Sequence, residues 1–186
     1  MKTLKQNTRL AEKLLKVKYV ISDVDGVLSD GKIIIDNKGV ESKHFDVKDG
    51  LGLILLQKAG VGVGIITGKS SDIVQRRFEA LGIKDIYQGQ KNKLNAFGEL
   101  KQKYDLSDDE IACIGDDLPD LALLAKVGVA VAPKDASHLI LPTVDYLCTK
   151  PGGYGAVREF VEILLAAKGL LDTLLSDYKI QGEAGF

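Results

Sequence analysis

Short apolar runs alternate along the chain with longer segments of mixed polar and apolar residues. The runs lie at residues 19–21, 61–66, 111–114 and 127–131, and such runs are typical of strands buried on both faces of a parallel sheet. Between them, helical composition and length occur at residues 50–59, 71–81, 92–103 and 119–125. The alternation predicts an α/β fold, a Rossmann-like doubly wound parallel sheet, in which ligands bind beyond the carboxyl ends of the strands.

A few segments depart from this alternation. Residues 32–35 and 40–47 are β-prone and flank the turn-rich tetrapeptide 36–39, which predicts a β-hairpin inserted at about residues 30–47. An amphipathic lead-in helix is predicted at 4–16. Near the other end, a flexible GGYG loop at 152–155 precedes a helix at 156–168, and a further short helix precedes a flexible tail at about 178–186. We expect one domain over residues 1–186.

Composition and charge narrow the classes of function. The chain has 25 basic and 26 acidic residues and a formal net charge of -1, so nothing predicts binding to nucleic acid or to an anionic membrane. No apolar run reaches the roughly 20 residues that cross a bilayer, and the first residues lack the apolar stretch of a signal peptide, so we expect a cytoplasmic protein. Cys113 and Cys148 are expected to be buried, reduced thiols.

Two acidic residues follow the first predicted strand, in the sequence Asp23-Val24-Asp25-Gly26. Gly26 allows the chain to turn there while both carboxylates stay near the open end of the sheet. A calcium-binding loop would need further oxygen ligands at close spacing, and the following VLSDGKIII does not supply them. By itself the motif leaves a catalytic site and an ordinary turn equally open.

Three further polar clusters lie at strand ends or helix starts. Thr67, Gly68, Lys69 and Ser70 could cradle a phosphate or form an ordinary turn capped by Ser70 or Ser71. Lys93 begins a predicted helix and alone would be taken for a solvated lysine. The last cluster places three carboxylates about a helix start, where acids also serve as caps: Asp116, Asp117 and Asp120.

The four clusters together predict one site, because each lies at the same edge of the predicted sheet. Asp23 and Asp116, with a backbone carbonyl of the first loop, are hard oxygen ligands that suit Mg²⁺. The metal, Lys93 and the Thr67 hydroxyl would reduce the repulsion between an attacking carboxylate and a phosphate dianion. Asp25 could then protonate the leaving group and later activate water.

The segments DVDGVLSDG, TGK and GDDLPD, together with Lys93, resemble the four motifs of the haloacid dehalogenase superfamily of phosphatases. The resemblance implies that Asp23 is the nucleophile and Asp25 the acid/base. It also implies Mg²⁺ bound by Asp23, Asp116 and the backbone carbonyl of Asp25. It assigns the phosphoryl group to Thr67, Gly68 and Lys93, and a supporting role around the metal ligands to Asp117 and Asp120.

Other segments narrow the resemblance: HFDVKDGLG, IVQRRFEALGI, YQGQKNKL and GGYGAVRE. They are similar to a branch that lacks a large cap domain and hydrolyses 3-deoxy-D-manno-octulosonate 8-phosphate (KDO 8-phosphate), a small anionic sugar phosphate, in lipopolysaccharide precursor synthesis. Members form homotetramers in which the hairpins associate and a neighbour helps to close the site. The ending QGEAGF resembles the mobile tail that such enzymes place near a neighbour's site.

Substrate contacts are expected from Lys48, Gly50 and Lys69. Lys48 and Lys69 stand where the branch usually has arginine, so the charge is kept while bidentate binding of a carboxylate is lost. This leaves open a related substrate such as KDN 9-phosphate, a nine-carbon keto-deoxy acid phosphate. The enzymes for that substrate typically carry an acidic residue after Thr-Gly, and Lys69 speaks against it.

A signalling receiver domain and a catalytically idle assembly domain are the alternatives from other classes. A signalling receiver domain also joins acids, a Thr and a Lys at a magnesium site, but it has no acidic cluster after the lysine, whereas GDDLPD follows Lys93 here. A catalytically idle domain that only drives oligomerisation is disfavoured, because every acid of the motifs is retained. The glycine-rich stretch 60–64 precedes and enters a strand, so it does not predict a dinucleotide site.

Overall fold

The computed structural model describes residues 8–182 and contains a six-stranded parallel sheet. Its strands are β1 (Tyr19–Ser22), β4 (Gly62–Ile66), β5 (Asp85–Tyr87), β6 (Ile111–Ile114), β7 (Val129–Ala132) and β8 (Tyr146–Leu147). The spatial order is β5-β4-β1-β6-β7-β8, and every neighbouring pair is parallel. All four predicted strands are present, and β1 lies between β4 and β6.

Helices cover both faces of this sheet. They are α1 (Thr8–Lys16), α2 (Val47–Lys58), α3 (Asp72–Glu79), α4 (Lys93–Tyr104), α5 (Leu118–Leu124), α6 (Ala156–Ala167) and α7 (Leu171–Gln181). Val20 of β1 packs into a core with α1, α2, α3, α6 and α7, while Tyr19 and Ile21 pack with α4 and α5. Successive residues of β1 thus enter opposite cores, as strand geometry requires, and the predicted doubly wound α/β class is confirmed.

The predicted hairpin is present but short. β2 (Ile34–Ile35) pairs antiparallel with β3 (Glu41–Ser42), Ile35 opposite Glu41. The predicted second arm to residue 47 is wrong at its end, because Asp46 caps α2 by accepting the Lys48 backbone N–H at 2.7 Å. Within residues 8–182, no inserted unit larger than this hairpin interrupts the alternation of strands and helices.

The two ends of the described chain compare differently with the prediction. The helix α1 agrees with the predicted lead-in helix over residues 8–16, and the predicted helical residues 4–7 lie outside the described residues. The helix α7 runs to Gln181, so residues 178–181 are helical where a tail was predicted, and residues 183–186 lie outside the described part. No helix between residues 8 and 182 is long and apolar enough to cross a membrane.

Two glycine-rich segments are packed more tightly than their sequences suggest. Gly152 of the predicted flexible loop is buried, and a Cβ on it would lie 1.8 Å from the Gly26 carbonyl oxygen. The loop therefore rests directly on the turn after β1. In the glycine-rich stretch 60–64, a Cβ on Gly62 would lie 2.3 Å from the Tyr19 ring, so this glycine makes room for the ring. Both cysteines are free and buried, as predicted.

Candidate active site

The predicted site residues meet at the carboxyl edge of the central strands. Asp23 directly follows β1, Thr67 follows β4, and Asp116 follows β6 by two residues. The ladder continues one residue past the strands, because Asp23 N–H donates to the Ile114 carbonyl at 3.0 Å and Thr67 N–H donates to the Tyr87 carbonyl at 2.9 Å. The backbone that carries both side chains is thus held by the sheet.

A cleft of about 220 Å³ opens at this edge. It is lined by Asp23, Asp25, Thr67, Gly68, Lys69, Lys93, Asp116, Asp117, Pro119 and Asp120. The structure therefore brings together all of the predicted catalytic, phosphate-binding, metal-binding and supporting residues, and Lys69 of the predicted substrate contacts.

The other two predicted substrate contacts, Lys48 and Gly50, do not line the cleft. Lys48 lies in the first turn of α2 and is exposed. Gly50 is buried in the same helix, where a Cβ would lie 2.3 Å from a guanidinium nitrogen of Arg77. Its missing side chain makes room for Arg77, and a substrate contact by Lys48 or Gly50 stays a prediction.

Lys93 is buried between two carboxylates. Its side chain is 3% exposed, and its Nζ lies 2.9 Å from Asp23 Oδ1 and 2.6 Å from Asp120 Oδ1. Burial lowers the pKa of Lys93, but the charges of Asp23 and Asp120 raise it further, so the net pKa lies above its ordinary value. Lys93 is therefore a cation at neutral pH, and the alternative of a solvated surface lysine is wrong.

Asp120 connects the last cluster to this lysine. Its Oδ1 accepts from Lys93, and its Oδ2 accepts the backbone N–H of Asp116 at 3.0 Å and that of Asp117 at 3.4 Å. Asp117 itself caps α5 through the Leu118 N–H at 2.8 Å. The acidic cluster therefore both caps the helix α5, through Asp117, and builds the site, because Asp120 orients the Asp116 loop and Lys93.

Gly26 brings the first loop against the Asp116 carboxylate. Its φ of +87° is a left-handed conformation, which glycine adopts without strain. A Cβ at this position would lie 2.1 Å from Asp116 Oδ2. The glycine is therefore needed for the turn and for the close approach.

The acidic cluster has the electrostatics of a cation site. Carboxylate oxygens of Asp23, Asp116 and Asp120 lie within 4.8 Å of one another. Burial and the charge of Asp120 raise the pKa of Asp23 to about 6, although Lys93 lowers it. Burial and the charges of Asp23 and Asp120 raise the pKa of Asp116 to about 7. The charged carboxylates are thus destabilised as they stand, and a nearby positive charge would relieve the repulsion.

The set of donor atoms supports the same conclusion. Asp23 Oδ1 is buried and lies 2.9 Å from the Lys93 ammonium. This one ammonium leaves the three carboxylates with a net negative charge, and hard carboxylate oxygens suit Mg²⁺, so the residues present fit this ion. The backbone carbonyl of Asp25 was also predicted as a metal ligand. It does not belong to the group of three carboxylates, so its role as a ligand stays a prediction.

A lysine outside the predicted site residues contacts Asp25. Lys43, one residue after β3, has a side chain that is 3% exposed, and its Nζ lies 2.5 Å from Asp25 Oδ1. It also lies 3.3 Å from Glu41 Oε1. A lysine in a predicted hairpin gives no sequence signal of burial, and the contact becomes visible only in the folded structure, where Lys43 lies against Asp25.

The fold and the acidic cleft define the class of protein. Residues 81–160 match the model of the haloacid dehalogenase-like hydrolases, a segment that includes Lys93, Asp116 and Asp120. The enzyme is accordingly a hydrolase acting on phosphoric monoesters, the class to which its named relatives belong.

Relatives identify the family within this class. The chain is 44% identical over 166 residues, 89% of its length and 88% of the relative, to the 3-deoxy-D-manno-octulosonate 8-phosphate phosphatase of Salmonella typhi. It is 46% identical over 156 residues, 84% of its length and 83% of the relative, to that of Escherichia coli K12. This chain belongs to the family of 3-deoxy-D-manno-octulosonate 8-phosphate phosphatases.

A solved structure agrees over nearly the whole chain. It is the phosphatase of the same name from Moraxella catarrhalis, in complex with a magnesium ion, a phosphate ion and KDO. The TM-score is 0.89 at 41% identity, covering 92% of this chain and 98% of that one.

Proposed function

We propose that the enzyme hydrolyses KDO 8-phosphate to KDO and phosphate, with Mg²⁺ and through an aspartyl-phosphate intermediate. The observation that carries the proposal is the cluster of Asp23, Lys93 and Asp116, in which the potential nucleophile Asp23 lies 2.9 Å from the Lys93 ammonium and has a carboxylate oxygen within 4.8 Å of one of Asp116. The name of the relatives and the ligands of the Moraxella structure support the substrate and the metal.

Asp23 attacks phosphorus in the first step. A bond forms between its carboxylate oxygen and phosphorus, and the bond from phosphorus to the sugar oxygen breaks. Lys93 and the Thr67 hydroxyl hold the phosphoryl oxygens, and Asp25 gives its proton to the departing alkoxide. Bound at Asp23 and Asp116, Mg²⁺ supplies positive charge that offsets the repulsion between the carboxylate and the phosphate dianion.

Water completes the reaction in the second step. Asp25, now ionised, takes a proton from a water molecule whose oxygen attacks phosphorus, and the bond to Asp23 breaks. Phosphate leaves, and Asp25 is protonated again for the next turnover. Both carboxylates thus return to their starting states, so no further reactant besides water is needed.

Lys69 is the proposed contact for the acidic end of the sugar, since it lines the cleft beside Thr67 and Gly68. A lysine binds a carboxylate as a point charge, so selectivity between KDO 8-phosphate and KDN 9-phosphate rests on fewer directional contacts than with arginine. We further propose a homotetramer assembled through the hairpins, in which the neighbours' C-terminal segments help to close the sites. We also propose that the reaction takes place in the cytoplasm.

The first experiment measures phosphate release from a panel of sugar phosphates, with Mg²⁺ or with EDTA. We expect preference for KDO 8-phosphate, loss of activity in EDTA and its recovery when Mg²⁺ is added back. Preference for KDN 9-phosphate would reject the substrate, and full activity in EDTA would reject the metal requirement.

Asp23→Asn tests the mechanism. We expect turnover to fall by about a thousand-fold or more, the scale on which loss of a nucleophile acts. With phosphorus-labelled substrate, acid quenching should leave label on the wild-type protein and none on Asp23→Asn. Asp105→Asn is the matched control, because Asp105 is exposed and left-handed (φ 50°), a conformation that Asn also tolerates. Retained turnover in Asp23→Asn would contradict the mechanism.

A further inference from the structure

Lys43 is a buried cation outside the four sequence clusters. Its side chain is 3% exposed, although it belongs to the hairpin segment, where neighbouring positions are largely exposed. Lysine is almost never this buried without a charged partner, since desolvation of an ammonium is costly. The partners here are Asp25 Oδ1 at 2.5 Å and Glu41 Oε1 at 3.3 Å.

Lys43 is also supported by contacts that do not involve Asp25. Glu41, which pairs with Lys43, accepts a hydrogen bond from Ser71 Oγ at 3.2 Å. The backbone N–H of Ser71 in turn donates to Gln88 Oε1 at 2.7 Å. Ser71 is the residue before α3, so the hairpin is tied to the end of the phosphate-binding loop at 67–70. Lys43 therefore reaches Asp25 from a supported position.

The contacts of Asp25 are unequal at its two oxygens. Lys43 Nζ donates to Oδ1 at 2.5 Å, and Ser29 Oγ donates to the same oxygen at 3.3 Å. Two donors on one oxygen fix the rotation of the carboxylate and leave Oδ2 as the oxygen available for proton transfer. Asp25 lines the cleft, so Oδ2 is the natural partner of a substrate oxygen there.

We propose that Lys43 is a positioning residue for Asp25 in the reaction proposed above: it holds Oδ1 so that Oδ2 exchanges the proton with the leaving group. It differs from Lys93, which touches the nucleophile and would touch the phosphoryl group. Lys43 acts only through Asp25, so its effect depends on how much the leaving group needs a proton. The inference rests on the proposed function, which it deepens.

Lys43→Met tests this role with two substrates. The alkoxide of a sugar phosphate is a poor leaving group and needs the proton of Asp25, whereas the phenolate of p-nitrophenyl phosphate departs without it. We expect kcat/KM for the sugar phosphate to fall by about 100-fold, at the low end of general acid catalysis. For p-nitrophenyl phosphate we expect a change of less than about threefold. The value of kcat/KM reports only the steps up to departure of the leaving group. The later hydrolysis of the aspartyl phosphate therefore does not affect this comparison.

Matched variants separate positioning from a general defect. Lys38→Met removes an exposed lysine of the same hairpin and should leave both substrates unchanged. Lys43→Arg keeps the charge and should recover part of the loss on the sugar phosphate. In an Asp25→Asn background, Lys43→Met should add no further loss, because residues that act as one unit are not additive.

The outcomes also separate this inference from the proposed function. Equal losses on both substrates, no loss on either, or full additivity with Asp25→Asn would overturn the role of Lys43 while wild-type turnover stands. A wild-type enzyme that hydrolyses neither substrate, or an active Asp23→Asn, would instead remove the proposed function. If circular dichroism shows that Lys43→Met is unfolded, Lys43→Gln is compared on the same two substrates. The outcomes stated for Lys43→Met then apply to Lys43→Gln.

Discussion

At the scale of single residues, the backbone conformation of Gly26 allows the first loop to approach the proposed metal ligand Asp116. Its φ is +87°, and a Cβ on it would lie 2.1 Å from Asp116 Oδ2. Gly26→Ala should therefore weaken Mg²⁺ binding measured by titration calorimetry, and lower the free energy of unfolding by about 1–3 kcal/mol.

Gly39→Ala is the control for that substitution. Gly39 has a similar φ of +81°, but a Cβ there meets nothing within 4 Å. Gly39→Ala should therefore lower the free energy of unfolding through backbone strain and leave the affinity for Mg²⁺ unchanged. If both variants bound Mg²⁺ as the wild type does, the close approach of Gly26 to Asp116 would have no part in metal binding.

The residues of the cleft were largely predictable, because strand ends in a parallel sheet share one edge. Asp23, Thr67 and Asp116 follow strands whose apolar runs are plain in the sequence, so their meeting follows from topology. The burial of Lys93 and the contact of Lys43 do not follow, since both depend on how a helix or a hairpin packs over that edge. A lysine carries no local signal that separates a buried ion pair from a solvated side chain.

At the scale of elements, Asp85 links the edge of the sheet to a helix. It begins β5, is 6% exposed, and accepts from Tyr19 of β1 at 2.8 Å and from Tyr104 and Lys103 of α4 at 2.6 Å each. Burial raises the pKa of Asp85, but the hydrogen bonds from Lys103, Tyr104 and Tyr19 lower it further, so the net pKa lies below its ordinary value. These bonds favour the ionised form and join three elements.

Asp85→Asn should therefore lower the free energy of unfolding by about 2 kcal/mol near pH 7. Because the folded pKa lies below the unfolded one, the stabilisation is complete above the unfolded pKa of about 4 and is lost as the pH falls through the folded pKa. Urea denaturation at several pH values should show the difference from wild type shrinking below pH 4. Asp108→Asn, which breaks a more exposed ion pair with Lys101, should cost less than about 1 kcal/mol. A difference independent of pH would contradict this account of Asp85.

Two short strands at the edges of the sheet could not be predicted from the sequence. β5 has three residues and β8 has two, too few to produce an apolar run that stands out from a loop. They form because β4 and β7 offer free edges that pair with any extended segment passing by. The start of α2 was missed for a different reason: the cap at Asp46 outweighs the β-prone character of Val47.

At the scale of the whole molecule, the hairpin presents apolar side chains to solvent. Ile33, Ile35 and Val40 are 66%, 61% and 58% exposed, and exposed apolar clusters on a short two-stranded unit favour association. If the hairpins assemble the proposed homotetramer, Ile33→Thr/Ile35→Thr should lower the mass measured by light scattering. Leu139→Thr/Leu147→Thr, which removes leucines of similar exposure elsewhere, should leave the mass unchanged. A monomeric wild type, or an unchanged mass in the hairpin variant, would refute this assembly.

The central place of β1 has a mechanical consequence. Asp23 directly follows β1, which is hydrogen-bonded to β4 on one side and to β6 on the other. A central strand of this kind normally opens only when the whole domain unfolds. Asp25 instead depends on Lys43 of a short, largely exposed hairpin, which belongs to the less stable end of a fold. We therefore expect thermal fluctuations to disturb proton transfer by Asp25 well before they displace the nucleophile Asp23. Proton transfer and nucleophilic attack should thus differ in how much local motion each can tolerate.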